Sequence, residues 1–246
     1  MDRSTYMIMM SAQKLLDNQE ILANNLANAS TIGFKSELIN KTVLSDDNNT
    51  KNFSYSLGKN YDKTLGSFRN TKQPLDIAIK HQNGWLVVKT NTNDTAYTKN
   101  GHLQINSKGQ LTSQDNIVMG QNGPIIIPKH SNIKILSDGT IKITENNKKF
   151  DKKLDKLQLV RINFNDLTHS DYGLYFLNKT NKSNIVIKHD PNVKISSETL
   201  EDSNVNLSED MINIIYDARI FEMQIKLLSS FNENMQLINK FLNINN

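Results

Sequence analysis

A four-three rhythm of apolar residues near the start of the chain restricts what it can fold into more than any other feature. Ile8, Ala12, Leu15, Gln19, Leu22, Leu26 and Ala29 stand four, three, four, three, four and three residues apart, the step of a helix that lies lengthwise on another helix. Only Gln19 interrupts this seam. The seam runs into Asn24-Asn25-Leu26-Ala27-Asn28-Ala29-Ser30-Thr31-Ile32-Gly33-Phe34-Lys35. There Asn, Ser and Thr compete for backbone hydrogen bonds and Gly33 permits a positive φ, so the helix is expected to stop near Ser30. Phe34 becomes an apolar anchor just past the stop.

The same rhythm returns at the other end. Leu207, Met211, Ile214, Ala218, Phe221, Ile225 and Leu228 repeat it, and Phe231, Met235, Ile238 and Leu242 continue an apolar stripe in shifted phase. Asn206 with Glu209 three residues on forms a plausible capping pair. From Leu207 to Leu242 such a helix would run about 50 Å, and a helix that long with a narrow seam needs partners.

Between the ends the period changes to two. Leu75-Asp76-Ile77-Ala78-Ile79, His102-Leu103-Gln104-Ile105-Asn106, Ile133-Lys134-Ile135 and Thr140-Ile141-Lys142-Ile143-Thr144 alternate apolar with polar, as half-buried strands do. Asn83-Gly84, Asn100-Gly101, Lys108-Gly109, Asn122-Gly123, Asp138-Gly139 and Tyr172-Gly173 punctuate them, and several are tight-hairpin dipeptides. The spacing predicts an antiparallel sandwich or distorted barrel with Trp85 as core anchor. Asp46 to Asn52 is polar without periodicity and reads as a solvated loop or linker. The expected class is therefore α+β, with discontinuous, coiled-coil-like terminal helices flanking a central antiparallel β domain. Its parts are an assembly helix and turn at 1–35, a polar linker at 36–64, the β domain at 65–200 and a second assembly helix at 201–246.

Composition excludes several function classes. With 246 residues, 37% hydrophobic, and a mean hydropathy of -0.52, the chain can bury a sizeable core. No window approaches the roughly 18 apolar residues that a membrane helix needs. Met7-Ile8-Met9-Met10 is broken at once by Ser11, Gln13 and Lys14, too short for the apolar region of a cleaved signal peptide. The net charge of +4 comes overwhelmingly from Lys scattered among Asp, Glu and Asn, whereas nucleic-acid faces cluster Arg and Lys with aromatics. No Cys is present, which rules out disulfides and thiolate metal sites.

Catalytic patterns are missing too. His81, His102, His130, His169 and His189 are isolated, with no pair at helical metal-ligand spacing. Asp46-Asp47 and Glu201-Asp202 are adjacent pairs whose side chains point apart. No Ser sits in a G-x-S-x-G turn, and the glycines are hairpin residues rather than a phosphate cradle. The reading is no enzyme, no metal and no cofactor.

The dodecapeptide Asn24 to Lys35 resembles the N-terminal signature of the flagellar rod and hook protein family. Gly66-Ser67-Phe68-Arg69-Asn70-Thr71-Lys72-Gln73-Pro74-Leu75-Asp76-Ile77-Ala78-Ile79, followed by Gly84-Trp85-Leu86-Val87-Val88, resembles a central segment of that family. Tyr97-Thr98-Lys99-Asn100-Gly101 is similar to another, and Tyr172-Gly173-Leu174-Tyr175-Phe176 more loosely to a third. Ser203-Asn204-Val205-Asn206, Glu209-Asp210-Met211 and Phe221-Glu222-Met223 resemble its C-terminal signature. Within the family, Met1-Asp2-Arg3-Ser4-Thr5-Tyr6 and the stretch from Phe221 look most like proximal-rod members, with distal-rod members next.

The resemblance implies a structural subunit of the basal-body rod that self-assembles through its terminal helices. It also implies other rod and hook subunits and the flagellar export apparatus as partners, and a place in the periplasmic rod reached without a cleaved signal peptide. On this reading Ile8, Ala12, Leu15, Leu22, Asn24, Asn25, Leu26, Ala27, Asn28, Gly33 and Phe34 form the N-terminal interface. Met211, Ile214, Ile215, Ala218, Phe221, Ile225 and Leu228 form the C-terminal one. Two other readings stay open: an envelope binding module that only dimerises through its helices, and an envelope enzyme such as a wall hydrolase.

Overall fold

The computed structural model describes residues 3–45, 53–128, 131–145, 152–170, 173–178 and 189–244. They divide into two compact units, one from the described parts of 1–28, 37–60 and 205–246, the other from 29–36 and 61–204. The expected linker at 46–52 lies outside the described residues.

In the first unit, helix α1 spans Arg3–Ala27 and helix α2 spans Leu207–Ile244. α1 ends three residues before the expected stop. The Asn28 amide is shared between the carbonyls of Asn24 and Asn25, both at 3.1 Å, and the Asn28 side chain takes the Asn24 carbonyl at 3.0 Å, so Asn chemistry closes the last turn. α2 begins where the capping pair places it. The Asn206 side chain accepts from the Glu209 amide at 3.4 Å and donates back to the Glu209 carboxylate at 3.0 Å. The remainder corrects the linker reading of 36–64: Glu37–Ser45 and Phe53–Tyr61 are paired strands. Val43, Leu44, Phe53, Tyr55 and Leu57 are strand formers, overshadowed in the sequence by the polar run between them.

The second unit is built mainly of β-strands, with a 3-10 turn at Phe164–Asp166 among its described residues, and every strand pairing described within it is antiparallel. Its centre is Gly84–Lys89, which pairs with Thr95–Thr98 on one side and with Asn116–Gly120 and Leu159–Arg161 on the other. Leu86 and Val88 face one apolar cluster, with Ile77, Leu111 and Leu157; Trp85 and Val87 face another, with Val160, Phe164 and Tyr175. Apolar packing on both faces explains the unbroken run Trp85-Leu86-Val87-Val88. Trp85 is the anchor expected of it, fully buried with its indole N–H donating to the Ile162 carbonyl at 2.9 Å.

The alternation around Ile77–Ile79 does not mark a half-buried strand. Ile77, Ala78 and Ile79 are all buried, because Ala is small enough to be covered from the face opposite its neighbours. Of the glycine pairs, Lys108-Gly109, Asn122-Gly123 and Asp138-Gly139 join paired strands. A smaller sheet of Ser131–Ile135, Thr140–Glu145 and Lys152–Lys156 turns Ile135 and Ile141 into the first cluster.

Candidate assembly site

The two helices of the first unit run antiparallel. Asn18 donates from Nδ2 to Asp217 Oδ2, and Gln224 donates from Nε2 to Ser11 Oγ at 2.8 Å. Both pairs share one register, which sets the start of α1 opposite roughly residue 232, so about three turns of α2 run past it.

That register decides which apolar residues the chain itself covers. On α1, Ala12 and Leu22 are buried, Ile8, Leu15 and Leu26 half-buried, and Ala27 exposed. On α2, Ile214, Ala218, Phe221 and Leu228 are half-buried. Met211, Ile215 and Ile225 are 45%, 56% and 46% exposed. The inward row of α2 is Ile214, Asp217, Phe221, Gln224 and Leu228, which keeps the four-three step but rotates it so that two polar residues take inward places. The outward surplus is large. Ile212, Tyr216, Met223, Leu227, Phe231, Met235 and Leu237 on α2, with Tyr6, Met7, Met9 and Leu16 on α1, are all exposed.

Asn25 has a distinct task. Its Nδ2 donates to the Glu37 carbonyl at 3.0 Å and its Oδ1 accepts from the Glu37 amide at 2.8 Å. The side-chain amide thus acts as a strand partner and fixes the start of the Glu37–Ser45 strand to the end of α1. Asn25 is 3% exposed, and Asn24 and Asn28, half-buried, bond to each other at 3.0 Å.

In the second unit the end of the N-terminal signature, residues 29–36, meets the start of the C-terminal one. Gly33 has φ +70 and donates to the Glu201 carbonyl at 2.8 Å. A Cβ there would come within 2.8 Å of the Lys99 carbonyl carbon and oxygen, so both the positive φ and the close approach require glycine. Lys35, fully buried, donates from Nζ to Glu201 Oε1 and to the Thr64 carbonyl, both at 2.6 Å. Glu201 Oε1 also accepts from the Gly66 amide at 3.1 Å. Asn204 completes the lock: Oδ1 accepts from the Ser36 amide at 2.8 Å, and Nδ2 donates to the carbonyls of Asp62 and Thr64 at 3.2 Å. Phe34 is buried beside them.

Lys99 lies in the same neighbourhood. Its Nζ donates to the carbonyls of His81 and Gln82 at 3.0 and 2.7 Å and stands 5.2 Å from the Trp85 ring centroid. Burial pulls its ammonium down to about 8, with the charge of Glu201 opposing and that of Lys35 adding.

Lys35, Glu201, Asn204 and Lys99 escaped the sequence reading, because a buried ion pair between distant positions has no period. The available signals were that Lys35 closes the dodecapeptide and that Lys99 and Asn204 lie in two other family-like stretches, Tyr97 to Gly101 and Ser203 to Asn206. Among the described residues no three His, Asp or Glu side chains come together as metal ligands. His81 and His189 are both held below the usual histidine range, first by burial, while His102 bonds Asp76 at 2.7 Å. His130 lies outside the described residues.

Three family descriptions match the chain: "Flagella basal body rod protein" over residues 9–35, "Flagellar hook protein FlgE/F/G D1 domain" over 79–143 and "Flagellar basal body rod FlgEFG protein C-terminal" over 196–241. The chain is 48% identical to the flagellar basal-body rod protein FlgF of Buchnera aphidicola subsp. Baizongia pistaciae, over 97% of each chain. It is 36% identical to FlgF of Salmonella typhimurium, over 99% of this chain and 100% of that one. To the rod protein FlgG of the same Buchnera it is 28% identical, over 89% and 92%.

Proposed function

Because the chain belongs to the flagellar basal-body rod protein family, we propose that it is a structural, non-enzymatic subunit of that rod, in the proximal position its FlgF-named relatives suggest. What carries the reading is the apolar surface of α1 and α2 that the antiparallel pairing leaves exposed, from Tyr6, Met7 and Met9 to Met211, Ile215, Ile225 and Phe231. Neighbouring subunits bury this surface in a shared, coiled-coil-like inner layer, to which the seam residues of both helices contribute. Each fully buried side chain of this size stabilises by roughly 1.5–3 kcal/mol, so a handful per subunit suffices to hold a shaft that transmits torque. The lock around Lys35, Glu201 and Asn204 joins the segment after α1 to the segment before α2 within the β unit.

The rod so formed is periplasmic, its partners are other rod and hook subunits, and the flagellar export apparatus delivers the chain. Sedimentation over a wide concentration range tests the assembly. A rod subunit keeps growing in mass with concentration, or joins a mixed stack when paralogues are added. A binding module that only dimerises through its helices reaches a plateau at the dimer, and that plateau would overturn the reading.

A further inference from the structure

The small sheet of the β unit places three lysines in a row across its strands. Lys134 is the register partner of Lys142, and Lys142 that of Lys153, so the three side chains stand on one face with neighbouring Cβ atoms about 5 Å apart. The opposite face holds Ile135 and Ile141 against the core and buries Ile143, which leaves the lysine face outward. Lys134 and Lys153 are exposed and Lys142 is half-buried between them. None of the three makes an ion pair among the described residues, although Lys156 at the far end reaches Asp138 at 3.8 Å. Like charges directly opposite one another weaken a sheet, so this face is built against its own stability.

A second observation bears on the same face. The register shifts between Ile141 and Lys142. Without the shift, the pairing of Ile141 with Asp155 would carry on to set Lys142 opposite Leu154. The irregularity brings Lys153 into the row and frees Leu154 to pack on the core. Charge is also concentrated locally: residues 131–156 contain seven Lys against four Asp or Glu, in a chain whose net charge is only +4.

We propose that this lysine row is a docking surface for an acidic segment of a partner protein, whose Asp or Glu carboxylates lie along the row. The chemistry favours carboxylates over phosphates. The row contains no Arg to grip phosphate oxygens in pairs, and its face presents Asn132 and Thr144 beside the lysines rather than aromatic rings on which bases stack. Three lysines fall short of the four to eight that hold a protein on an anionic membrane. A second copy is disfavoured by the positive charge that both copies would bring. The row uses no residue of either helix, so the inference stands whether or not the rod reading does.

The test titrates the full-length chain with a short glutamate-rich peptide, with inorganic polyphosphate and with vesicles containing anionic phospholipid. It is repeated with K134Q/K142Q/K153Q and with a charge-matched control, K80Q/K108Q/K194Q, at exposed sites off the row. The row variant is expected to lose at least tenfold in affinity for the peptide, the control no more than about twofold. The row variant is also expected to melt at a higher temperature than the parent chain, since the repulsion is relieved. Equal losses in the two variants, binding to polyphosphate or vesicles as tight as to the peptide, or an unchanged or lower melting temperature of the row variant would overturn the proposal.

Discussion

Lys35 and Glu201 are 166 positions apart in the chain, yet both are buried and 2.6 Å from each other. Removing one partner strands a charge in the core, which costs about 3–5 kcal/mol, whereas replacing both with apolar groups of similar volume is often close to neutral. Lys35→Met and Glu201→Met are each expected to lose roughly that much in urea unfolding, and the double variant clearly less than the sum of the two. Additive losses would show that the pair does not act as a unit. Lys99 makes a spectroscopic prediction, because Trp85 is the chain's one Trp and lies 5.2 Å from its ammonium. Tryptophan fluorescence is expected to change with a midpoint near pH 8, where burial has brought the Lys99 ammonium from its ordinary 10.5, and the change is expected to vanish in Lys99→Met. The native state gives up this proton near pH 8 while the unfolded chain keeps it to about 10.5. The Lys99 contribution to stability therefore rises with pH across that window and is absent below it. A fluorescence midpoint above 10 would remove this account of Lys99.

Among the elements, the turn after α1 is where local sequence and tertiary packing agree most closely. The Asn-rich end of α1 and the positive φ of Gly33 are properties of the residues themselves, and both were legible in the sequence. So were the capped start of α2 and the buried Trp85 strand. The strand pair at Glu37–Ser45 and Phe53–Tyr61 was not, because the polar stretch between its strands dominated that window. The rotation of the α2 seam was not either: Asp217 and Gln224 face α1 through the specific partners Asn18 and Ser11, which hydropathy cannot foresee. Gly33→Val is expected to cost on the order of 1–2 kcal/mol from the left-handed backbone alone. The 2.8 Å approach of its Cβ to the Lys99 carbonyl adds strain that no rotamer relieves. Thermal melting of the variant measures the loss, and an unchanged melting temperature would mean that the turn is free to move away from Lys99.

For the whole molecule, the division into units makes residues 29–36 part of the β unit although they follow α1 directly. In dilute monomer their amides are expected to be protected together with 61–204, since Gly33 and Ser36 donate to Glu201 and Asn204. Much of the outward stripe of α1 and α2 is uncovered in a lone chain, and helices draw most of their stability from burying such a stripe, so both are expected to exchange faster. Exchange of 29–36 at the helices' rate would contradict the lock. Assembly itself has to be tested at residues that the chain does not already bury, because Leu22 and Asn25 serve its own interior and changes there confuse folding with incorporation. Ile215 and Ile225 are suited to it, at 56% and 46% exposed. The most direct measurement is the amount of the chain recovered in purified basal bodies from cells carrying Ile215→Asp with Ile225→Asp, alongside the Trp85 fluorescence of the same purified variant. The account predicts loss of the chain from basal bodies with native fluorescence retained; normal rods containing the variant at full stoichiometry would contradict it.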